Sequence, residues 1–82
     1  MTRDEVMVIV LGALSDIAPE IEIERLDQDA ELRTEADLDS MDFLNFVVAL
    51  HEQFTIEIPE ADYSELSTLS DCATYILARI ST

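Results

Sequence analysis

The apolar positions near the amino terminus predict an amphipathic helix over roughly residues 2 to 18. Its apolar residues recur at helical spacing: Val6, Val10, Leu14 and Ile17. Thr2 followed three residues later by Glu5 has the form of a capping box, and Pro19 supplies a stop. The β-branched stretch in the middle would also suit a buried strand, but the two end signals favour a helix. Gly12 costs about 1 kcal/mol relative to alanine inside a helix, so we expect a close packing contact there.

Residues 19 to 39 are predicted to form a long connection. Pro19, the alternation of glutamate and isoleucine, and the cluster Asp27-Gln28-Asp29 break the helical periodicity. Isolated apolar residues indicate a loop pinned to a core: Ile21, Ile23, Leu26, Leu32 and Leu38. A loop of this length is uncommon in a compact domain and usually has a function.

The clearest helix runs from Ser40 to about Thr55, with Asp39 as its N-cap and Asp42 in its first turn. At about 100° per residue, one side of this helix carries a core face: Phe43, Phe46, Val47, Leu50 and Phe54. A second apolar stripe lies on the other side: Met41, Leu44 and Val48. Ser40 lies between the two stripes.

The remaining pattern completes a small all-α fold. A short segment over residues 60 to 65 suits one or two helical turns, and Thr68 with Asp71 marks another helix start. Core spacing then continues to the carboxyl end: Leu69, Cys72, Ala73, Ile76 and Ile80. We therefore predict one domain over residues 1–82, a small four-helix bundle of three principal helices and one short helix, with a long loop between helices 1 and 2.

Charge narrows the range of partners. The chain has 19 acidic residues and 4 arginines or lysines, a formal charge of -15, and 49% hydrophobic residues. That apolar content excludes an acidic disordered tail. Phosphate recognition needs clustered basic residues, which are missing here, so nucleic acid is not an expected partner. The longest apolar run is far short of the ~20 residues of a membrane helix. We expect no membrane insertion, and partners that present positive charge.

The residue types of hydrolytic and redox enzymes are poorly placed for catalysis. His51 lies eleven residues beyond Ser40 on the same predicted helix, about 16 Å away, which argues against a serine–histidine pair. Cys72 lies on an apolar face and is predicted to be a small buried hydrophobe. It is the one cysteine of the chain, which favours a reducing compartment. The amino terminus does not resemble a signal peptide, so a cytoplasmic location is expected.

Two further kinds of site are excluded by composition and spacing. Phosphate-binding loops need several glycines, and the chain has 1. The run that starts at Asp27 begins like a calcium loop, but Leu32 and Leu38 occupy positions where such a loop needs glycine and glutamate. No metal site and no catalytic residue are therefore predicted.

Four sequence landmarks together carry a family resemblance. They are Asp39-Ser40-Met41-Asp42, Val47-Val48-Ala49-Leu50-His51-Glu52-Gln53-Phe54, Ile56-Glu57-Ile58-Pro59 and Leu66-Ser67-Thr68-Leu69. In this order and spacing they strongly resemble the acyl carrier proteins of fatty-acid and polyketide synthesis. The register runs without a gap from about residue 35 to 77.

The resemblance implies a free-standing, monomeric carrier. A phosphopantetheinyl transferase would attach phosphopantetheine from coenzyme A to Ser40. The carrier would then present acyl chains, as thioesters, to synthases or acyltransferases with basic docking surfaces in fatty-acid, lipid or polyketide synthesis. The resemblance implies these partner-docking residues: Asp39, Met41, Asp42, Leu44, Val48, Glu52 and Ile58. It implies that the acyl cavity involves Phe43, Phe46, Val47 and Leu50.

Some positions depart from the family pattern. Asp37 and Ala36 stand where glycine and leucine are common, Asn45 and His51 replace acids of the docking face, and Phe43 takes a place usually held by a smaller residue. These differences suggest a specialised carrier whose cavity is reshaped by Phe43. Two alternatives stay open: an aminoacyl or peptidyl carrier, and an unmodified acidic helical module that binds a basic protein.

Overall fold

Helix α1 spans Arg3–Ile17 in the computed structural model, which describes residues 1–80. The capping box predicted at its start is present. The backbone N–H of Glu5 donates to the Thr2 hydroxyl, and the Glu5 carboxylate accepts from the Thr2 N–H at 2.8 Å. The backbone hydrogen-bond donors at the start of a helix have no partner within it, so this reciprocal pair satisfies two amide groups that would otherwise rely on water.

Three further α-helices complete the bundle: α2 (Leu32–Glu35), α3 (Ser40–Phe54) and α4 (Leu69–Ile80). Two 3-10 helices lie between them, at Ile23–Arg25 and Glu60–Leu66. No strand occurs within residues 1–80. The all-helical bundle of three principal helices is confirmed. The long connection is more structured than predicted, because it contains one of the 3-10 helices and α2.

The core lies where α1 packs against α3 and α4 and where the 3-10 helix Glu60–Leu66 packs against α4. Side chains from all these elements are fully buried there: Val6, Val10, Leu14, Phe46, Leu50, Leu66, Leu69 and Ile76. Each such burial contributes about 1.5–3 kcal/mol relative to leaving the side chain exposed. The helical periodicity of the sequence identified this face of each principal helix.

The long connection is held against the bundle at both of its ends. Leu32 and Leu38 are buried, as predicted. The remaining predicted anchors, Ile21, Ile23 and Leu26, are half-buried. Polar contacts add to this attachment. The Ser70 hydroxyl donates to Asp29 at 2.8 Å, the Ser70 N–H donates to the Gln28 carbonyl, and the Leu32 N–H donates to Ser67. Gln28 and Asp29 of the connection are therefore attached to the first turn of α4.

The packing role expected for Gly12 is wrong. Gly12 is exposed on α1, and a methyl group added to its Cα would meet no atom within 4 Å. No neighbouring residue packs into the space that a side chain at this position would occupy.

We expect Gly12→Ala to stabilise the protein by about 0.5–1 kcal/mol, because alanine restricts the unfolded chain and favours the helix. Thermal unfolding followed by circular dichroism should show a higher melting temperature with an unchanged helical spectrum. Ala13→Gly, at the neighbouring buried position, is the opposite control and should lower it. An unchanged or lower melting temperature for Gly12→Ala would contradict this reading.

Candidate functional site at the start of helix α3

Helix α3 begins at Ser40 because Asp39 caps it. The Asp39 carboxylate accepts a hydrogen bond from the backbone N–H of Asp42 at 2.8 Å. Asp39 itself has extended backbone geometry, which turns the chain sharply into the helix. Ser40 is the first helical residue and is exposed. Its hydroxyl group is thus presented on a rigid element at the edge of the bundle.

The segment before the cap contains an unusual backbone conformation. Asp37 has φ 52°, in the left-handed region that favours glycine. This is the position where the resemblance to carrier proteins led us to expect glycine. Aspartate tolerates this conformation better than most residues. The chain therefore keeps the turn between α2 and α3 although the glycine is replaced.

The burial of α3 fixes which of its residues face outward. Phe46, Val47 and Leu50 are buried in the core, whereas Phe43 and Phe54 are half-buried. The second stripe is exposed in the bundle: Met41 to 63%, Leu44 to 39% and Val48 to 44%. These three side chains form an apolar surface, which we call the α3 surface. Asp39 and Glu52 beside it are exposed, and Asp42 is half-buried.

An open cleft of about 610 Å³ lies beside Ser40. It is bordered by α3, by residues just before it and by the 3-10 helix Glu60–Leu66. Its lining mixes apolar, aromatic, hydroxyl and charged groups: Glu31, Arg33, Ser40, Phe43, Leu44, Glu60, Tyr63, Ser64, Leu66 and Ser67. The volume is within the range of small-molecule pockets.

Arg33 and Tyr63 define the aromatic and cationic side of this cleft. The Arg33 guanidinium donates to the Ser40 hydroxyl oxygen at 3.2 Å and lies 5.6 Å from the centre of the Phe43 ring. The Tyr63 and Phe43 rings form a T-shaped pair, with 6.2 Å between ring centres. Sequence reasoning assigned no role to Arg33 or Tyr63. The sequence does distinguish Arg33, because the next arginine or lysine after it is Arg79.

The residues predicted for the acyl cavity do not all lie together in the cleft. Phe43 lines it, but Phe46, Val47 and Leu50 belong to the closed core. Among the residues predicted for docking, Ile58 is half-buried and packs against the core, and the others lie on or beside the α3 surface. Leu44 lies on the α3 surface and also borders the cleft, so it joins the two regions.

His51 has a structural contact at the other end of α3. Its Nδ1 donates to the backbone carbonyl of Ile56. Thr55 ends the helix with φ 53°, and its N–H donates to the His51 carbonyl. The side chain therefore closes the turn that follows α3, far along the helix from Ser40.

Together these features describe a helical bundle with an exposed serine at the start of one helix, beside an open cleft. The family model for the phosphopantetheine attachment site matches residues 9–76. The acyl carrier protein of Campylobacter jejuni strain RM1221 is 31% identical over 75 residues, covering 92% of this chain and 91% of the relative. The chain belongs to the acyl carrier protein family, whose members are carriers rather than enzymes and bear phosphopantetheine.

Other relatives agree with this placement. A solved structure of the acyl carrier protein from Enterococcus faecalis superimposes with a TM-score of 0.77 at 27% identity, over 95% of this chain and 98% of that one. The mitochondrial acyl carrier protein of Saccharomyces cerevisiae is 29% identical over 79 residues. The chain spans 63% of that relative's length and 40% of the length of Arabidopsis thaliana mitochondrial acyl carrier protein 3.

No helix within residues 1–80 has the length and apolar content that crossing a bilayer requires.

Cys72 lies on the buried face of α4. Burial raises the pKa of its thiol from 9.0 to about 12, and the neighbouring Asp71 charge acts in the same direction. At pH 8 the thiolate fraction is therefore about a thousandfold below that of an ordinary thiol. This agrees with the prediction of a small buried hydrophobe.

We expect the Cys72 thiol to be almost unreactive toward Ellman's reagent in the native protein at pH 8 and to react rapidly in guanidinium chloride. The protein used should have the intact mass of the bare polypeptide, so that Cys72 is its single thiol. Because the unfolded thiol ionises near pH 9 and the folded one near pH 12, the free energy of unfolding should also fall as the pH rises between these values. Rapid native labelling would contradict the burial of this thiol.

Proposed function

We propose that this protein carries acyl groups on phosphopantetheine attached to Ser40. The observation that supports this proposal most directly is the exposed Ser40 hydroxyl at the first turn of α3, beside an open cleft. The Ser40 hydroxyl loses its proton to a base of the transferase. Its Oγ forms a new bond to the pantetheine-bearing phosphorus of coenzyme A, and the pyrophosphate bond breaks to release the nucleotide as adenosine bisphosphate.

The residues around Ser40 fit this role. The hydroxyl accepts a hydrogen bond from Arg33, and its modification needs no base from this chain, because the transferase provides one. When attached, the arm supplies a terminal thiol that holds an acyl group as a thioester. The rigid start of α3 then fixes the point from which the arm extends.

The cleft is the part of the surface best suited to shelter the cargo. Phe43, Leu44 and Leu66 contribute apolar side chains to its lining, and Tyr63 and Ser64 contribute residues that carry hydroxyl groups. Phe43 contacts both the Arg33 guanidinium and the Phe46 ring, whose centre is 6.5 Å from its own. A large side chain fixed in this way shapes the cleft, which supports a role for Phe43 in selecting the cargo.

The α3 surface is the proposed docking site for the transferase and for synthases or acyltransferases that use the loaded arm. Its apolar side chains can be desolvated by a partner, and Asp39, Asp42 and Glu52 supply negative charge beside them. Charges at the rim of an interface mainly raise the association rate and select partners of opposite sign. Positively charged docking surfaces are therefore inferred for the partners, which would engage a single carrier chain as a monomer.

The compartment has two candidates. The buried single thiol supports a reducing one, and we infer the cytoplasm. The relatives from Saccharomyces cerevisiae, Arabidopsis thaliana and Neurospora crassa are named mitochondrial, which favours the mitochondrion as a second candidate. Cell fractionation with detection of the native protein would separate them.

Incubation with coenzyme A and a broad-specificity phosphopantetheinyl transferase should add the mass of one phosphopantetheinyl group. Ser40→Ala should gain none, because it lacks the hydroxyl that forms the ester. Intact-mass spectrometry checks both, with Ser64→Ala, a hydroxyl variant on the far side of the cleft, as the matched control that still gains the group. An unmodified wild-type chain would instead support a helical module that binds without an arm.

Asp42→Lys and Glu52→Lys should each lower kcat/KM for modification by that transferase by about 3- to 10-fold at low ionic strength. The difference should shrink at high salt, because screening removes the attraction. Asp16→Lys makes the same charge change at an exposed position of α1 and is the control. Equal losses for all three variants would mean that net charge, and not the α3 surface, governs docking.

A further inference from the structure

Arg33 differs from the other arginines of this chain in its contacts. Arg25 and Arg79 pair with carboxylates, of Glu22 at 2.8 Å and Asp62 at 2.7 Å. Arg3 donates to the hydroxyl of Thr74 and the carbonyl of Ser70, linking α1 to α4. Among residues 1–80, Arg33 forms no ion pair with a carboxylate, although the chain carries 19 acids.

The hydrogen-bond partner of Arg33 is the hydroxyl oxygen of Ser40. A serine hydroxyl is neutral, so this contact leaves the guanidinium charge without an anion. The guanidinium lies over the Phe43 ring, 5.6 Å from the ring centre. This is a favourable cation–π distance. The charge is therefore positioned at Ser40 by its neighbours and remains available to an anion formed there.

Modification of Ser40 places such an anion one bond beyond the atom that Arg33 already contacts. A phosphodiester carries one negative charge shared by two oxygens. The planar guanidinium has five N–H donors in a fork that matches phosphate oxygens. Asp39 directly precedes Ser40 in the sequence and Asp42 follows two residues later, so both would repel that charge. The nearest opposing cation in the chain is Arg33.

We propose that Arg33 pairs with the phosphodiester formed at Ser40 and positions the start of the arm beside the cleft. This inference rests on the proposed attachment at Ser40. Arg33 is thus a positioning residue that offsets the repulsion of Asp39 and Asp42 and orients the arm toward Phe43 and Tyr63. In the unmodified chain, its contact with the hydroxyl keeps the guanidinium ready for the phosphate.

A thermodynamic cycle of modification and mutation tests this pairing. Wild-type and Arg33→Gln proteins are prepared without and with the phosphopantetheinyl group, and intact mass confirms each state. Modification should change the melting temperature less favourably in Arg33→Gln than in wild type, by about 2 to 5 °C at low salt. The cycle cancels any effect that the substitution has on the bundle alone.

Two control variants sharpen the cycle. Arg33→Lys keeps the charge and should retain part of the coupling. Arg25→Gln removes an arginine whose side chain is 83% exposed and which is paired with Glu22, and it should show none. The coupling of the wild type should also weaken in about 0.5 M NaCl, because exposed charges are screened.

Nuclear magnetic resonance gives a readout that does not depend on stability. The Nε–Hε resonance of Arg33 should shift on modification of the wild type, and the ³¹P resonance should differ between modified wild-type and modified Arg33→Gln proteins. If no variant gains mass, the attachment itself is refuted. If the proteins gain mass but show no coupling and no spectral change, attachment stands and the Arg33 pairing is overturned.

Discussion

The packing of one face of α3 against α1 determines the rest of the site. Burial of Phe46, Val47 and Leu50 fixes the rotation of the helix about its axis. Since successive residues are separated by about 100°, that rotation exposes the α3 surface along the other side. Ser40 points nearly the same way as the buried Val47 and is exposed because it is the first residue of the helix. A rotation of the helix toward the core by one residue position would bury part of the α3 surface. The apolar core therefore sets the orientation of the α3 surface as well as the stability of the domain.

The net negative charge of the chain opposes folding, and it also influences which molecules approach the surface. A formal charge of -15 on 82 residues opposes compaction through self-repulsion, and the same electrostatic field favours the approach of cationic molecules over anionic ones. The fold confines most acids to exposed positions, and the described residues contain no buried charged side chain. The arginines make local contacts: Arg3 and Arg79 connect elements of the bundle, and Arg33 donates to the Ser40 hydroxyl.

The cleft lies outside the closed core of this small bundle. Its wall is made by the 3-10 helix Glu60–Leu66, which packs against α4 through the buried Leu66 and presents Tyr63 and Ser64 toward α3. A 3-10 helix makes weaker internal hydrogen bonds than an α-helix. The side of the cleft that faces Ser40 therefore rests on a less rigid element, whereas Ser40 itself rests on a rigid one.

The sequence by itself determined the three principal helices, the capping of α1 and α3, the core faces and the exposed stripe, because caps and helical periodicity are local signals. It also indicated Ser40 through the spacing of four landmarks. The tertiary structure decided that Phe46, Val47 and Leu50 close the core while Phe43 borders the cleft, that Gly12 faces open space, and that Arg33 meets Ser40. These outcomes depend on how segments distant in the chain, or separated by a turn such as that at Asp37, are placed relative to one another. No local pattern encodes that placement.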